Sequence, residues 1–199
     1  PQLEQKPFAT SFVDGTRANG ELRYRDESAG GESYTIALWA KASTSDPSTW
    51  QPLFDGRNAR SRSMLAFSTS DVLMILYKDS SGAYKSKSTG FSMGDRTGWH
   101  HYVLTFSGPR SSGTFRVFVD GQLVHTYQGS LQLPGTSDMY IGRGSPTNEL
   151  WNGLIDELLI LPYAVSPETV EAWHNNPVKI GTTLKTKGEL KEFCPYVLN

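Results

Sequence analysis

Short apolar segments with strand-like alternation recur along the chain and are separated by clusters of Gly, Pro, Ser and Asp. β-Branched and aromatic residues dominate these segments, which is typical of antiparallel strands. The pattern therefore predicts an all-β chain. The predicted strands are Ser33–Lys41, Met64–Ser68, Asp71–Lys78, His100–Ser107, Thr114–Asp120, Gln122–Gln128 and Leu154–Leu161, with less regular ones at Phe8–Phe12, Glu21–Tyr24, Pro52–Asp55, Tyr84–Lys87 and Asp138–Gly142.

Two of the polar breaks have the chemistry of defined turns. Asp120-Gly121 lies between alternating segments and predicts a two-residue type I′ hairpin, in which both central residues have positive φ. The segment from Asp79 to Gly82 predicts a longer loop, because Asp79 can accept bonds from the backbone ahead of it and Gly82 can adopt positive φ. Both features indicate architecture rather than a site.

One helix is predicted near the end of the strand-rich region. Ser166 suits the N-cap position and Pro167 the first helical turn, so we expect about two turns as far as His174. Val170 and Trp173 lie three residues apart and would share the buried face.

Composition narrows the class of protein. The 199 residues are 37% hydrophobic and 12% aromatic, enough for the core of one domain. With 19 basic against 20 acidic residues there is no general attraction for a phosphate backbone, so nucleic acid is excluded as a partner. No apolar run approaches the roughly 20 residues that span a bilayer, so no membrane segment is expected. The single Cys194 excludes an internal disulfide.

The domain is expected to cover residues 8–177. Residues 1–7 are interpreted as the end of a preceding module or a linker. Residues 178–199 are rich in Lys and lack periodicity, and are interpreted as a connector or the start of a following module.

Several segments resemble the laminin-G-like branch of the concanavalin A-like lectin/glucanase superfamily, in matching order and spacing. They are Ser33–Lys41, Gly98–Phe106, Phe115–Gly121, Met139–Arg143 and Trp151–Leu158. The resemblance implies a two-sheet antiparallel jelly-roll sandwich with one short C-terminal helix. It also implies that Trp39 is buried in an early core strand, and that the domain binds a ligand rather than catalyses a reaction.

The opening segment Pro1–Arg17 resembles segments of long tail or appendage proteins of phages and prophages of Gram-positive bacteria. That resemblance implies a module of a virion tail fibre, assembled in the bacterial cytoplasm, with neighbouring modules of the same fibre as partners. Such fibres are commonly homotrimers, although no heptad pattern supports one here. A secreted or cell-surface protein is the alternative location.

Two residue pairs suggest catalysis at first sight. His100 and His101 are adjacent on a predicted strand, so their side chains point to opposite faces and cannot readily share a metal ion. Asp156 and Glu157 would likewise face opposite ways, whereas a glycosidase needs two carboxyl groups facing one substrate. The Glu-x-Asp-x-x-Glu motif of glycosidases with this fold is also missing. We therefore expect no catalytic residues.

Asp156 is also a candidate calcium ligand. Members of the resembled superfamily often bind Ca²⁺ through an aspartate in the last strand together with oxygens near the N-terminus, which would make Asp14, with Asp55 as a further candidate, part of the site. Ca²⁺ requires six to eight oxygens. A hydrogen-bonded aspartate at the end of a strand remains the alternative.

A sugar site requires exposed aromatic rings with polar neighbours near a loop rim. Trp39, Trp99 and Trp173 have core-like contexts and are set aside. The loops at 43–50 and 144–151 are the favoured rim. The candidate carbohydrate-binding residues are Trp50, Tyr77, Tyr84, Asn148 and Trp151. Alternatively, Trp50 and Trp151 fold back as plugs over the edges of the sandwich, because large aromatic side chains are mostly buried.

Residues 57–62 form a small basic segment, Arg-Asn-Ala-Arg-Ser-Arg. A solvated hairpin tip is the simplest interpretation. Contact with anionic wall polymers such as teichoic acids is the alternative, and it would make binding sensitive to salt.

Together these features predict a non-catalytic recognition module of a phage tail fibre or appendage. Its partner would be a bacterial surface polysaccharide or wall glycan, with Ca²⁺ as the candidate cofactor. Two alternatives remain open: a structural spacer or assembly domain of the fibre without its own ligand, and a carbohydrate-binding module of a secreted bacterial enzyme.

Overall fold

The computed structural model describes residues 22–24, 32–44, 48–144 and 149–175, with the backbone alone at 22–24. Asp14, Asn148, the predicted strand Phe8–Phe12 and both terminal segments lie outside the described residues. Predictions that concern those positions, including the domain boundaries, therefore stay predictions.

The described residues form eleven strands and one helix. In chain order these are β1 (Leu22–Tyr24), β2 (Tyr34–Ala42), β3 (Gln51–Asp55), β4 (Ser63–Phe67), β5 (Leu73–Lys78), β6 (Tyr84–Ser88), β7 (His100–Ser107), β8 (Gly113–Val119), β9 (Gln122–Gly129), β10 (Met139–Ile141), β11 (Gly153–Leu161) and α1 (Pro167–Asn175).

The strands make two antiparallel sheets. One has six strands in the order β1-β10-β3-β4-β5-β6, and the other has five in the order β11-β2-β7-β8-β9. Apolar side chains of both sheets fill one core, as in a sandwich. The predicted two-sheet antiparallel sandwich with a short helix near its end is confirmed. Among the described residues, no helix has the length and apolar character of a membrane span.

Strand β2 shows how the sequence alternates between the core and the outside. Tyr34, Ile36, Leu38 and Ala40 are fully buried and belong to the core between the sheets. Side chains alternate along a strand, so Trp39 projects from the opposite, outer face of the five-stranded sheet. It is only half-buried there, and the expectation that Trp39 belongs to the core was wrong.

Helix α1 covers part of that outer face. The side chain of Val170 is fully buried against Ala37, Val103 and Phe118, and Trp173 packs beside it, as the three-residue spacing predicted. The backbone N–H of Thr169 donates to Oγ of Ser166 at 3.3 Å, which confirms the predicted N-cap.

The two predicted turns are also present. Asp120 and Gly121 connect β8 to β9 with φ of 50° and 78°, the positive values of a type I′ turn. In the loop between β5 and β6, Oδ1 of Asp79 accepts from the N–H groups of Ser81 and Ala83 at 2.9 and 3.0 Å, and Gly82 has φ of 84°.

Candidate functional site

Four loops meet at one end of the sandwich, which we call the basic-loop end. They connect β3 to β4 (residues 56–62), β5 to β6 (79–83), β7 to β8 (108–112) and β9 to β10 (130–138). Backbone hydrogen bonds join the long last loop to two of the other loops and to the end of β5: Gly135 N–H donates to Ala59 O at 3.1 Å, Leu131 N–H to Arg110 O at 2.6 Å, and Gln132 N–H to Lys78 O at 3.0 Å. These bonds hold the loops in a defined arrangement.

A buried arginine strengthens this arrangement. Arg110 lies in the β7–β8 loop and is 5% exposed. Its guanidinium donates to Gln132 O and to Arg60 O, both at 2.9 Å, so one side chain bridges two other loops. Because an Arg presents five donors in a rigid plane, it suits such multiple contacts with carbonyl groups.

Tyr84 is the exposed aromatic residue at this end, with 61% of its surface accessible. It begins β6 directly opposite Lys78, the last residue of β5. Nζ of Lys78 lies 4.8 Å from the centroid of the Tyr84 ring, and Cζ of Arg57 lies 5.7 Å from it. Both cations are within the distance of a cation–π contact. Tyr84 thus lies beside Arg57, the first residue of the basic segment 57–62.

Neighbouring polar groups hold these cations in place. Lys78 Nζ donates to Oδ1 of Asn58 at 2.7 Å. Arg57 binds Asp55 through both Nε and Nη2, at 3.0 and 2.8 Å. Burial opposes the Arg57 charge, but attraction to Asp55, with smaller contributions from Tyr84 and Glu149, outweighs it and raises the Arg57 pKa. We call Tyr84, Lys78, Arg57, Asn58 and the adjoining Arg62 the Tyr84 site.

The other predicted sugar-binding residues that the structure describes, Tyr77, Trp50 and Trp151, do not join Tyr84. Tyr77 is 3% exposed, and its hydroxyl donates to the Tyr127 hydroxyl at 3.2 Å, so its ring has no open face for a ligand. Trp50 is half-buried just before β3, whereas Asp55 at the other end of that strand adjoins the basic segment. Trp50 therefore lies at the far end of the sandwich from Tyr84.

Trp151 closes that far end of the sandwich. It is 8% exposed, and its ring packs against Phe67 with a centroid separation of 6.3 Å. The fully buried Arg96 lies over both rings, with Cζ 4.4 Å from the Phe67 centroid and 5.8 Å from that of Trp151. Nε of Arg96 is 3.0 Å from Oδ1 of Asp71. Trp151 thus folds back as a plug over the edge of the sandwich, the alternative to a sugar-binding role.

A second exposed aromatic residue was missed. Trp99, set aside as core-like, is 42% exposed just before β7. Lys41 Nζ lies 6.0 Å from its ring centroid, and Leu154, opposite Lys41 on β11, is 55% exposed. The bulky Trp99-His100-His101 run suggested burial, but Trp99 precedes the strand and is not enclosed by the sheet.

The paired histidines have separate environments, as strand geometry predicted. Nδ1 of His100 is 2.8 Å from Oδ2 of Asp120. His101 faces outward, where its ring stacks on Trp39 at 5.1 Å. Burial, reinforced by the nearby His174 and partly offset by Asp120, lowers the pKa of His101 to about 4. Within the described ranges, no group of three or more His, Cys, Asp or Glu side chains could hold a metal ion.

The Asp156-Glu157 pair lies at an irregularity of strand β11 that the sequence did not predict. The register of β11 against β2 shifts between Asp156 and Leu159, and Glu157 has φ of 49°, so a bulge interrupts the alternation of side chains. Burial and then the Asp156 charge raise the pKa of Glu157. Oδ1 of Asp156 accepts from the Glu157 N–H at 2.8 Å. The calcium hypothesis for Asp156 stays a prediction, because Asp14 lies outside the described residues.

Comparison with known proteins is consistent with this architecture. Residues 14–171 match the family described as the concanavalin A-like lectin/glucanases superfamily, in its laminin G branch. The chain belongs to this family. The expected concanavalin A-like membership is thereby confirmed. No match was found among curated proteins.

Solved structures with this fold include a heptameric SAP-like pentraxin from Limulus polyphemus, at a TM-score of 0.58 and 12% identity over 79% of this chain and 78% of the pentraxin chain. The receptor binding domain of botulinum neurotoxin C/D mosaic serotype matches at 0.56 and 15% identity over 75% of this chain and 37% of that one. The binding domain of botulinum neurotoxin DC in complex with SialylT gives 0.54 and 14% identity over 74% and 36%. This chain thus spans little more than a third of the toxin domains.

Proposed function

We propose that this domain is a non-catalytic recognition module that binds a glycan at the Tyr84 site. The observation that carries the proposal is the 61% exposed Tyr84 ring, flanked by cationic donors that the surrounding loops hold in position. An aromatic face provides an apolar platform for the C–H groups of a sugar, and fixed polar groups beside it can bind the hydroxyls.

The rigidity of the basic-loop end favours a binding role. The hydrogen bonds from Gly135 and Gln132, and the buried Arg110, fix the loops before any ligand arrives. Binding then costs less conformational entropy than it would if the ligand had to order these loops. A spacer domain without a ligand has no need of an exposed aromatic ring beside two cations.

The comparisons support the proposal at the level of the fold. A toxin binding domain with this fold has been solved in complex with SialylT, which is a property of that protein. At 14% sequence identity the comparison supports a shared fold and does not indicate that this chain binds the same ligand. The support specific to this chain comes from Tyr84 and its neighbours.

The biological setting is a further part of the proposal. The resemblance of Pro1–Arg17 to phage and prophage appendages supports a virion tail module that binds a bacterial wall glycan. A carbohydrate-binding module of a secreted enzyme would use the same site. The genes that neighbour the full-length coding sequence distinguish these two settings. Phage structural genes are expected beside the gene of a virion tail module and not beside that of a secreted enzyme.

Glycan-array screening followed by calorimetric titration with bacterial wall polysaccharides tests the binding function. We expect Tyr84→Ala to weaken the affinity about tenfold, since it removes the aromatic platform. Trp99→Ala is the matched control, because it removes an exposed ring at the opposite end of the sandwich. The absence of any glycan binding by the native chain would favour the spacer function instead, and equal losses in both variants would contradict a site at Tyr84.

A further inference from the structure

The charged groups around Tyr84 are unevenly paired. Arg57 makes an ion pair with Asp55, and Lys85 lies 3.5 Å from Asp79 through Nζ and Oδ2. The positive charges of these two residues are therefore largely compensated within the protein. Lys78 is different, because its ammonium group binds the uncharged side-chain oxygen of Asn58.

Arg62 resembles Lys78 in this respect. Its Nε donates to Leu133 O at 2.7 Å and its Nη1 to Arg57 O at 3.4 Å, both uncharged carbonyl groups. Burial lowers the Arg62 pKa, opposed by Tyr84, which means that the guanidinium loses hydration without gaining a carboxylate in return. The backbone oxygen of Arg62 accepts from the N–H of Lys78 at 3.0 Å, so the two residues are neighbours in the fold.

Lys78 and Arg62 are thus two neighbouring cations for which the described residues supply no carboxylate partner, and Lys78 lies over the exposed Tyr84 ring. The whole chain has a net charge of −1, so these two cations are a local feature of the basic-loop end and not part of a general excess of positive charge. A ligand that brought an anionic group to this position would form charge-assisted hydrogen bonds, which are about twice as strong as those between neutral groups.

We propose that the Tyr84 site selects glycans carrying an acidic group, in which the sugar ring contacts Tyr84 and the carboxylate, sulfate or phosphate pairs with Lys78 and Arg62. This inference rests on the proposed glycan-binding function and names the chemical class of its ligand. The acid is identified by its charge and geometry, and the three acids share both the negative charge and the clustered acceptor oxygens that these donors require.

The test compares acidic glycans with their neutral counterparts by calorimetric titration at low and high salt. The pairs are sialyllactose with lactose, a sulfated heparin oligosaccharide with its desulfated form, and poly(glycerol phosphate) bearing a sugar substituent with the free sugar. We expect one acidic member to bind at least about tenfold more tightly than its neutral partner. The acidic glycan that binds shows whether the site prefers a carboxylate, a sulfate or a phosphate.

Variants assign the preference to Lys78. Lys78→Gln keeps an N–H donor for Asn58 but removes the charge, and should abolish most of the acidic preference, whereas Lys78→Arg should retain it. Lys87→Gln is the matched control: it removes the same charge from neighbouring strand β6, where Lys87 Nζ instead lies 4.6 Å from the Tyr127 ring centroid. Raising salt from about 0.1 to 1 M shortens the screening length from about 10 to 3 Å and should weaken only the acidic ligand.

Two results would overturn the inference in different ways. Equal affinity for acidic and neutral members, with loss of both in Tyr84→Ala, would refute acidic selectivity and leave glycan binding intact. Failure of the native chain to bind any member of the three pairs or any wall polysaccharide would refute the proposed function and the inference together. Equal effects of Lys78→Gln and Lys87→Gln would place the acidic group elsewhere.

Discussion

His101 should make the stability of this domain depend on pH in a defined interval. The residue is 4% exposed, and its ring contacts those of Trp39 and His174, with centroid distances of 5.1 and 6.3 Å. Its Nδ1 is buried and has no hydrogen-bond partner among the residues that the structure describes. Protonation would place a charge in this stack without a bond to satisfy the new donor. Burial, and then the neighbouring His174, accordingly lower the His101 pKa from 6.5 to about 4.

The sign and size of the effect follow from proton linkage. The unfolded chain binds a proton at His101 near pH 6.5, whereas the folded chain resists it until about pH 4. Stability is therefore lost as the pH falls through this interval, and no more is lost at His101 below it. At about 1.4 kcal/mol for each pH unit between the two pKa values, the loss amounts to about 3 kcal/mol. This is a large share of the roughly 5–15 kcal/mol that stabilises a typical domain.

The assay is urea denaturation at pH values from 7 to 4, for the native chain and for His101→Phe. Phenylalanine can keep the stack on Trp39 and cannot be protonated, so the free-energy difference between the two chains should change by about 3 kcal/mol over the interval. His174→Phe should reduce the pH dependence without removing it, because burial of His101 remains. Parallel pH profiles for the native chain and His101→Phe would refute the reasoning.

Two further predictions concern other parts of the domain. Arg96→Met should cost about 3 kcal/mol of unfolding free energy in urea, since it leaves the Asp71 carboxylate without its buried cation; a change below 1 kcal/mol would contradict a structural role for the pair. The calcium hypothesis predicts that a chelator lowers the melting temperature of the native chain and not that of Asp156→Ala, because an ion bound only by the folded state stabilises it. A melting curve unchanged by chelator would remove Asp156 as a ligand.

Strand alternation, turn preferences and helix capping predicted most of the fold, because each depends on residues that are close together in the sequence. Strand β7 was predicted at its observed bounds, and the other predicted strands that lie within the described residues begin and end within two residues of their observed bounds. The Asp120-Gly121 turn and the Ser166 cap followed from backbone preferences at single positions. Such features need no knowledge of what packs against them.

Predictions that depended on which face is buried were less successful. In β2 the run Ile36-Ala37-Leu38-Trp39-Ala40 is apolar on both faces, because one face meets the core and α1 covers part of the other. An uninterrupted apolar run does not indicate which of the two alternating sets of side chains faces the core between the sheets. The bulge at Glu157 shows a similar limit, since a non-glycine residue with positive φ in a strand has no local signature in the sequence.

The proposed function depends on whether a cation–aromatic pair is buried or exposed, which the sequence alone does not show. A cation lies over an aromatic ring at both ends of the sandwich: Arg96 over Phe67, and Lys78 over Tyr84. Arg96 is fully buried beside Asp71, so its contacts are satisfied within the fold and stabilise it. Among the described residues the Lys78 ammonium group binds the amide oxygen of Asn58 and no carboxylate, and the Tyr84 ring is open to solvent. A cation and an aromatic ring therefore close one end of the domain, whereas at the other end a similar pair stays open to solvent, where we propose that the ligand binds. Burial and charge compensation distinguish the two pairs.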